Sequence, residues 1–170
     1  NDHNLKFSIR RDLILRSLND KVNREKTRSS ISLEKLISNM RSDSKKHPFL
    51  SSLYFAGSDV DHPFFVENSR IALGLSVLPE DIEKAKQPKR HPHQTEIIIV
   101  LNGSICLNYE KDGKLAKIIL NEDDYFIIPK GTCHWILGVD DNDATFFFLK
   151  TNPSEEPRGD TGLAWRWTSE

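Results

Sequence analysis

Cysteine is scarce: Cys106 and Cys133 are the only two in 170 residues, too few for a disulfide scaffold or a zinc site of four thiolates. Long apolar runs are missing as well. The longest is Ile97-Ile98-Ile99-Val100-Leu101, whereas a membrane span needs roughly 20 apolar residues. Charge of one sign is not in excess either. Lys and Arg total 24, Asp and Glu 25, and the formal charge of −1 lacks the basic footprint of nucleic-acid binding. Neither a nucleic acid nor a membrane is therefore an expected partner. The opening Asn-Asp-His-Asn-Leu-Lys carries no basic-then-apolar leader, so a cytoplasmic address is expected, and the lack of an initiator Met implies removal of something upstream. What is present is 37% hydrophobic and 29% charged residues, the balance of a globular protein with a polar surface. The length suits one domain with an appended arm.

Residues 1–46 form that arm. Leu5, Ile9 and Leu13, then Ile14, Leu18 and Val22, recur near helical spacing with arginines between them. Ser32 reads as an N-cap, with Glu34 in the first turn and Leu33, Leu36, Ile37 and Met40 forming an apolar stripe. Two amphipathic helices are predicted, over about 8–24 and 33–42, joined by the polar stretch Arg24–Ser30. Such helices are marginal alone and must dock their stripes.

Residues 47–152 change character. Strands are predicted at Arg70–Leu78, Glu96–Leu101, Ser104–Tyr109, Leu115–Leu120, Tyr125–Ile128, His134–Val139 and Thr145–Lys150. Pro79-Glu80-Asp81 opens a brief helical or looped insertion. Asn102-Gly103 and Asp112-Gly113 are both hairpin dipeptides, because a type I′ turn needs positive φ at its two central residues. Closely spaced strands without intervening helices argue for an antiparallel sandwich or small barrel. Residues 153–170 form an irregular tail that Trp165 and Trp167 are expected to pin to the body.

Three histidines and a carboxylate stand out. His91-Pro92-His93-Gln94-Thr95-Glu96 enters an apolar strand, and Pro129-Lys130-Gly131-Thr132-Cys133-His134 follows much later. Imidazole and carboxylate suit divalent ions such as Fe(II), Zn, Ni or Mn. Two histidines separated by one residue on extended backbone point to the same side. A carboxylate such as Glu96, buried without a partner, is costly, and a metal would offset that cost. Read without chemistry, His91 and His93 sit in an exposed loop beside Lys89 and Arg90. His3, His47 and His62 read as structural or exposed, and Cys106 and Cys133 as packing residues.

These motifs resemble the cupin superfamily, whose first motif carries HxH, a Glu and, six residues on, a Gly, and whose second carries PxGxxH. Glu96 and Gly103 have six residues between them, and Pro129-Lys130-Gly131 leads to His134. The resemblance covers roughly residues 70–150. It departs in the first motif, where only Gln94 and Thr95 separate His93 from Glu96. Counting back from Glu96 makes His91 the second histidine of the motif and puts Lys89 where the first should be. Two ligand sets stay open: His91, His93, Glu96 and His134 together, or the set without His93. The opening Gly and closing Asn of the second motif are also missing, with Asp123 and Gly138 near those places.

The resemblance implies a mainly β, double-stranded β-helix (jelly-roll) barrel with an N-terminal helical arm. It also implies a divalent metal, with Fe(II) favoured, and a small-molecule ligand or substrate inside the barrel. Dioxygenase-like chemistry is the leading expectation, with isomerase or lyase chemistry if the ion is zinc, nickel or manganese; a non-catalytic small-molecule or sugar-binding barrel is the alternative. Tyr109, Tyr125 and Arg70 are candidates to contact a substrate, with a structural role the preferred reading of each. If Glu96 faces the lumen, so do Ile98 and Val100, while Ile97, Ile99 and Leu101 face outward. That apolar outer face needs a cover: the helices, or a second copy in a homodimer.

Overall fold

The two amphipathic segments fold as helices, with ends displaced from those the spacing predicts. α1 spans Asp2–Ser17 and α2 spans Leu33–Ser44. The structure, a computed structural model, describes residues 2–18, 31–57, 66–67, 70–78, 88–139 and 143–151. α1 ends early because the chain is turned back there. Ser17 Oγ donates to Leu13 O, Ser32 N donates to Ser17 O, and Leu18 bridges to Ile31. Ser32 caps α2 as expected, its hydroxyl accepting from Lys35 N at 3.3 Å. The insertion at Pro79, the linker before Ser30, His62, the side chain of His3 and the tail from residue 153 lie outside the described residues.

Among the described residues the strands are β1 (Ser52–Gly57), β2 (Val66–Glu67), β3 (Ile71–Leu78), β4 (Glu96–Asn102), β5 (Ile105–Lys111), β6 (Lys114–Leu120), β7 (Tyr125–Ile128), β8 (His134–Gly138) and β9 (Ala144–Thr151). They form a six-stranded sheet, β2-β1-β3-β9-β4-β7, and a three-stranded sheet, β6-β5-β8. This is the expected jelly roll. Alternation places Ile98, Val100, Ile128, Phe146 and Phe148 between the sheets, against Ile105, Leu107 and Ile136 of the smaller one.

Two local expectations change. Asp112-Gly113 is a two-residue turn with positive φ at both positions (53° and 72°), joining β5 to β6. Asn102-Gly103 is not a hairpin: only its glycine has positive φ, and β4 and β5 lie in different sheets. Both edges of β4 are already taken by β7 and β9, so the chain leaves this sheet and begins the other. β1 was not foreseen; it follows a 3₁₀ turn at Pro48–Ser51 and pairs antiparallel with β3.

The helices supply much of the cover for the outer face of the larger sheet. Leu13, Ile14, Leu36 and Met40 pack on Leu50, Leu53, Leu75 and Val77, with Leu101 and Phe147 at the margin. Arg41 reaches past them to Thr145 Oγ1 at 2.9 Å, and Arg16 pairs with Asp43. Farther along the same face Ile99, Tyr125 and Ile127 are 43%, 67% and 51% exposed. No described helix is long and apolar enough to cross a membrane.

Candidate metal centre

β4 begins with Glu96 and β8 begins with His134, and the loop before β4 runs beside the loop before β8. Backbone hydrogen bonds set that proximity. Lys89 and His134 exchange both of theirs, at 2.8 and 2.9 Å, and Gly131 N donates to His91 O at 2.7 Å. Arg90 Nη1 donates to Gly131 O at 2.8 Å, while its other amine pairs with Glu110. Gly131 has φ +79°, a conformation that side-chain-bearing residues rarely adopt, and this turns the chain from Pro129 toward His134. The two motifs are thus joined by main chain before any side chain meets another.

His91, Glu96 and His134 converge. Each offers one ligand atom, and these atoms lie within 4.8 Å of one another. Glu96 Oε2 is 3.0 Å from His134 Nε2 and 3.6 Å from His91 Nε2. Ligand atoms each ~2 Å from a shared ion lie at most ~4 Å apart, so a small contraction brings all three into range. All three residues are buried. His134 Nδ1 is 3.0 Å from Thr132 O, a contact that orients the ring with Nε2 toward Glu96. A carbonyl aligning the far nitrogen of an imidazole is the arrangement found behind metal-ligating histidines.

The electrostatics keep two donors in ligand form. Burial, followed by the charge of Lys150, lowers His91 to about 4 against the pull of Glu96, leaving a neutral ring at pH 7. Burial alone would raise Glu96, but the hydrogen bond from His134 and the charges of Lys150, His134 and His91 outweigh it and bring the carboxyl to about 2. An ionised carboxylate between two imidazoles suits a divalent ion. The group can therefore hold a metal.

His93, the fourth expected ligand, is exposed and lies outside this group. The arrangement matches the register that counts back from Glu96, with Lys89 in the first histidine's place. Cys133 packs as expected: it is fully buried, and burial pushes its thiol up. Tyr125 stands on the outer face, Arg70 is exposed, and Tyr109 packs against Phe126 with ring centres 5.0 Å apart and the planes tilted by 52°.

A cavity of about 90 Å³ opens beside the triad, walled by Phe146 and Phe148 and bordered by Ser52, Tyr54, Ser76, Lys89 and Lys150. At roughly 10–15 Å³ for one water, it has room for several water-sized groups. Of these border residues, Ser52 and Tyr54 escaped the sequence reading with β1. Lys150 had a usable signal, since it continues the inward parity of Phe146 and Phe148 along β9.

Residues 79–150 match a family model described as Cupin domain. Over 73 residues the chain is 34% identical to a putative germin-like protein 8-1 of Oryza sativa subsp. japonica, covering 40% of this chain and 33% of that protein. Over 65 residues it is 37% identical to a germin-like protein of Morus alba, covering 38% and 31%. The chain spans about a third of the length of these curated relatives. Among solved structures it is similar to Peruvianin-I, a cysteine peptidase from Thevetia peruviana latex, at 22% identity over 66% of each chain with a TM-score of 0.50. It is also similar to an oxalate oxidase in complex with the substrate analogue glycolate, at 18% identity, 60% of this chain, 50% of that one and a TM-score of 0.50. These structural likenesses speak to the fold alone.

Proposed function

The chain belongs to the cupin superfamily, and from that premise we propose that it is a metal-dependent enzyme of dioxygenase type acting on a small molecule in the cavity. The convergence of two imidazoles and one carboxylate on the lining of a cavity walled by Phe146 and Phe148 carries this reading. Two histidines and one carboxylate with coordination positions left open are the donor set of non-haem Fe(II) oxygenases, which favours iron. Zinc, nickel or manganese would accept the same donors. A bound ion supplies a Lewis acid and, if it is iron, redox chemistry with dioxygen.

The chain's own residues have distinct tasks. Glu96 brings the negative charge, Thr132 O holds the His134 ring in its ligating orientation, and His91 stays neutral. Phe146 and Phe148 give the cavity its apolar wall. The exposed strip at Ile99, Tyr125 and Ile127 supports self-association as a homodimer, which sedimentation velocity tests directly.

The decisive experiment is metal analysis of protein reconstituted anaerobically with Fe(II) and, separately, with Zn(II). One equivalent bound is expected, and its absence sinks the proposal. Oxygen consumption by the iron form is then followed across thiols, catechols and small organic acids. Stoichiometric metal without turnover would leave the non-catalytic binding barrel as the surviving reading.

A further inference from the structure

Lys89 and His91 both line the cavity, while Arg90 between them turns its side chain the other way. There its guanidinium ties three segments together. Nη1 donates to Gly131 O at 2.8 Å, in the turn before His134, and Nη2 pairs with Glu110 near the end of β5. Glu110 N in turn donates to Cys133 O at 2.9 Å, one residue ahead of His134. Gly131 is thus gripped on both sides of its backbone: its N–H donates to His91 O at 2.7 Å, and its carbonyl accepts from Arg90. Both side chains of the ion pair are only 23% exposed, so water and salt screen it less than a surface pair. A planar fork can serve two acceptors at once in this way, which a lysine ammonium, a point charge, cannot.

We infer that Arg90 is a positioning residue for the candidate metal centre, clasping the segment that carries His91 to the turn that delivers His134. The two imidazoles are then held close together before an ion arrives; this rests on the metal reading above. An ion pair that served the fold alone would change stability and leave metal affinity per folded molecule untouched. A clasp sets that affinity too, because ligands already in place lose less freedom on binding.

Chelator competition on the full chain gives zinc dissociation constants for wild type and variants. Arg90→Gln should weaken zinc about 10–100-fold, the range for groups that orient metal ligands. Arg90→Lys keeps the charge without the fork and should recover part of that loss. Glu110→Gln, which weakens the guanidinium's hold on β5, should shift affinity in the same direction as Arg90→Gln. Arg41→Gln removes a remote clamp between α2 and Thr145 and should leave zinc affinity within about threefold of wild type. Hydrogen exchange on the metal-free proteins supplies the second readout. The Gly131 and His134 amides should exchange about fivefold faster or more in Arg90→Gln, the worth of one ordinary hydrogen bond, while amides of the β3–β9 pairing keep their rates. Zinc affinity unchanged in both Arg90→Gln and Glu110→Gln, or exchange unchanged at both amides, overturns the inference. If the wild type takes up no zinc, the metal reading fails, and the metal-free exchange rates alone judge the clasp by the same comparison.

Discussion

Replacing Glu96 by glutamine exchanges one carboxylate oxygen for an amide nitrogen, which removes the negative charge at the centre of the triad while keeping the side chain's shape. Oε2 of Glu96 lies 3.0 Å from His134 Nε2 and 3.6 Å from His91 Nε2, and among the three donors it is the sole anion. A neutral amide there leaves two imidazoles to hold a divalent ion. Disturbing groups that merely orient a ligand costs metal affinity about 10–100-fold, so loss of the anionic ligand itself should exceed about 100-fold. That is about 3 kcal/mol at 1.4 kcal/mol per decade. Competition against a chromophoric chelator measures the zinc dissociation constant of wild type and variant. His93→Ala serves as the internal contrast, because His93 is exposed and outside the group. It should bind zinc within about threefold of wild type, a change under 1 kcal/mol. Should Glu96→Gln bind as tightly as wild type, or His93→Ala lose as much as Glu96→Gln, the argument from convergence is wrong.

Metal-free stability should fall as pH drops from 6.5 toward 2. His91 is lowered to about 4 from 6.5 and Glu96 to about 2 from 4.5, so through both windows the unfolded chain binds more protons than the folded one. Urea midpoints at pH 7, 5 and 4 check the sign, and a rise on acidification contradicts it. Gly74→Ala should destabilise by about 1–3 kcal/mol, because an added Cβ would sit 2.2 Å from Phe148 Cζ and 2.5 Å from Leu53 O. Gly131→Ala meets no atom within 4 Å, yet its φ of +79° should cost about 1–2 kcal/mol and weaken zinc binding by loosening the turn before His134. Leu36→Ala, at a fully buried contact of the helices, should cost about 2–5 kcal/mol without altering zinc affinity per folded molecule.

Different forces made different parts of this molecule readable. Alternation along Glu96–Leu101 places Ile98 and Val100 inside, where both are buried, because a strand's side chains reverse face at every residue. Ser32 and Asp112-Gly113 act through bonds and dihedrals only a few residues long, so their effect is visible in the string. Asn102-Gly103 carries the same local signal as Asp112-Gly113 and does something else. Its outcome depends on β7 and β9 occupying the two edges of β4 first. β1 was hidden for a related reason: Ser52–Gly57 is short, mixed in polarity and preceded by Pro48, and is a strand by virtue of β3 beside it.

The amino-acid order alone determined which chemistry was available: two imidazole-bearing segments, one carboxylate at a strand's start, and a proline–glycine turn to steer the second segment. The tertiary structure decided which histidine joins Glu96. His91 is drawn in by Gly131 N on its carbonyl and by the Lys89–His134 bridge two residues before it, while His93 is left outside. It also decided that helices shield much of the sheet's outer face, and that Lys150 shares the cavity with the triad. Ligand chemistry belongs to single residues and travels with the sequence. Convergence belongs to hydrogen bonds between segments far apart in the chain, and only the folded pairing of those segments specifies them.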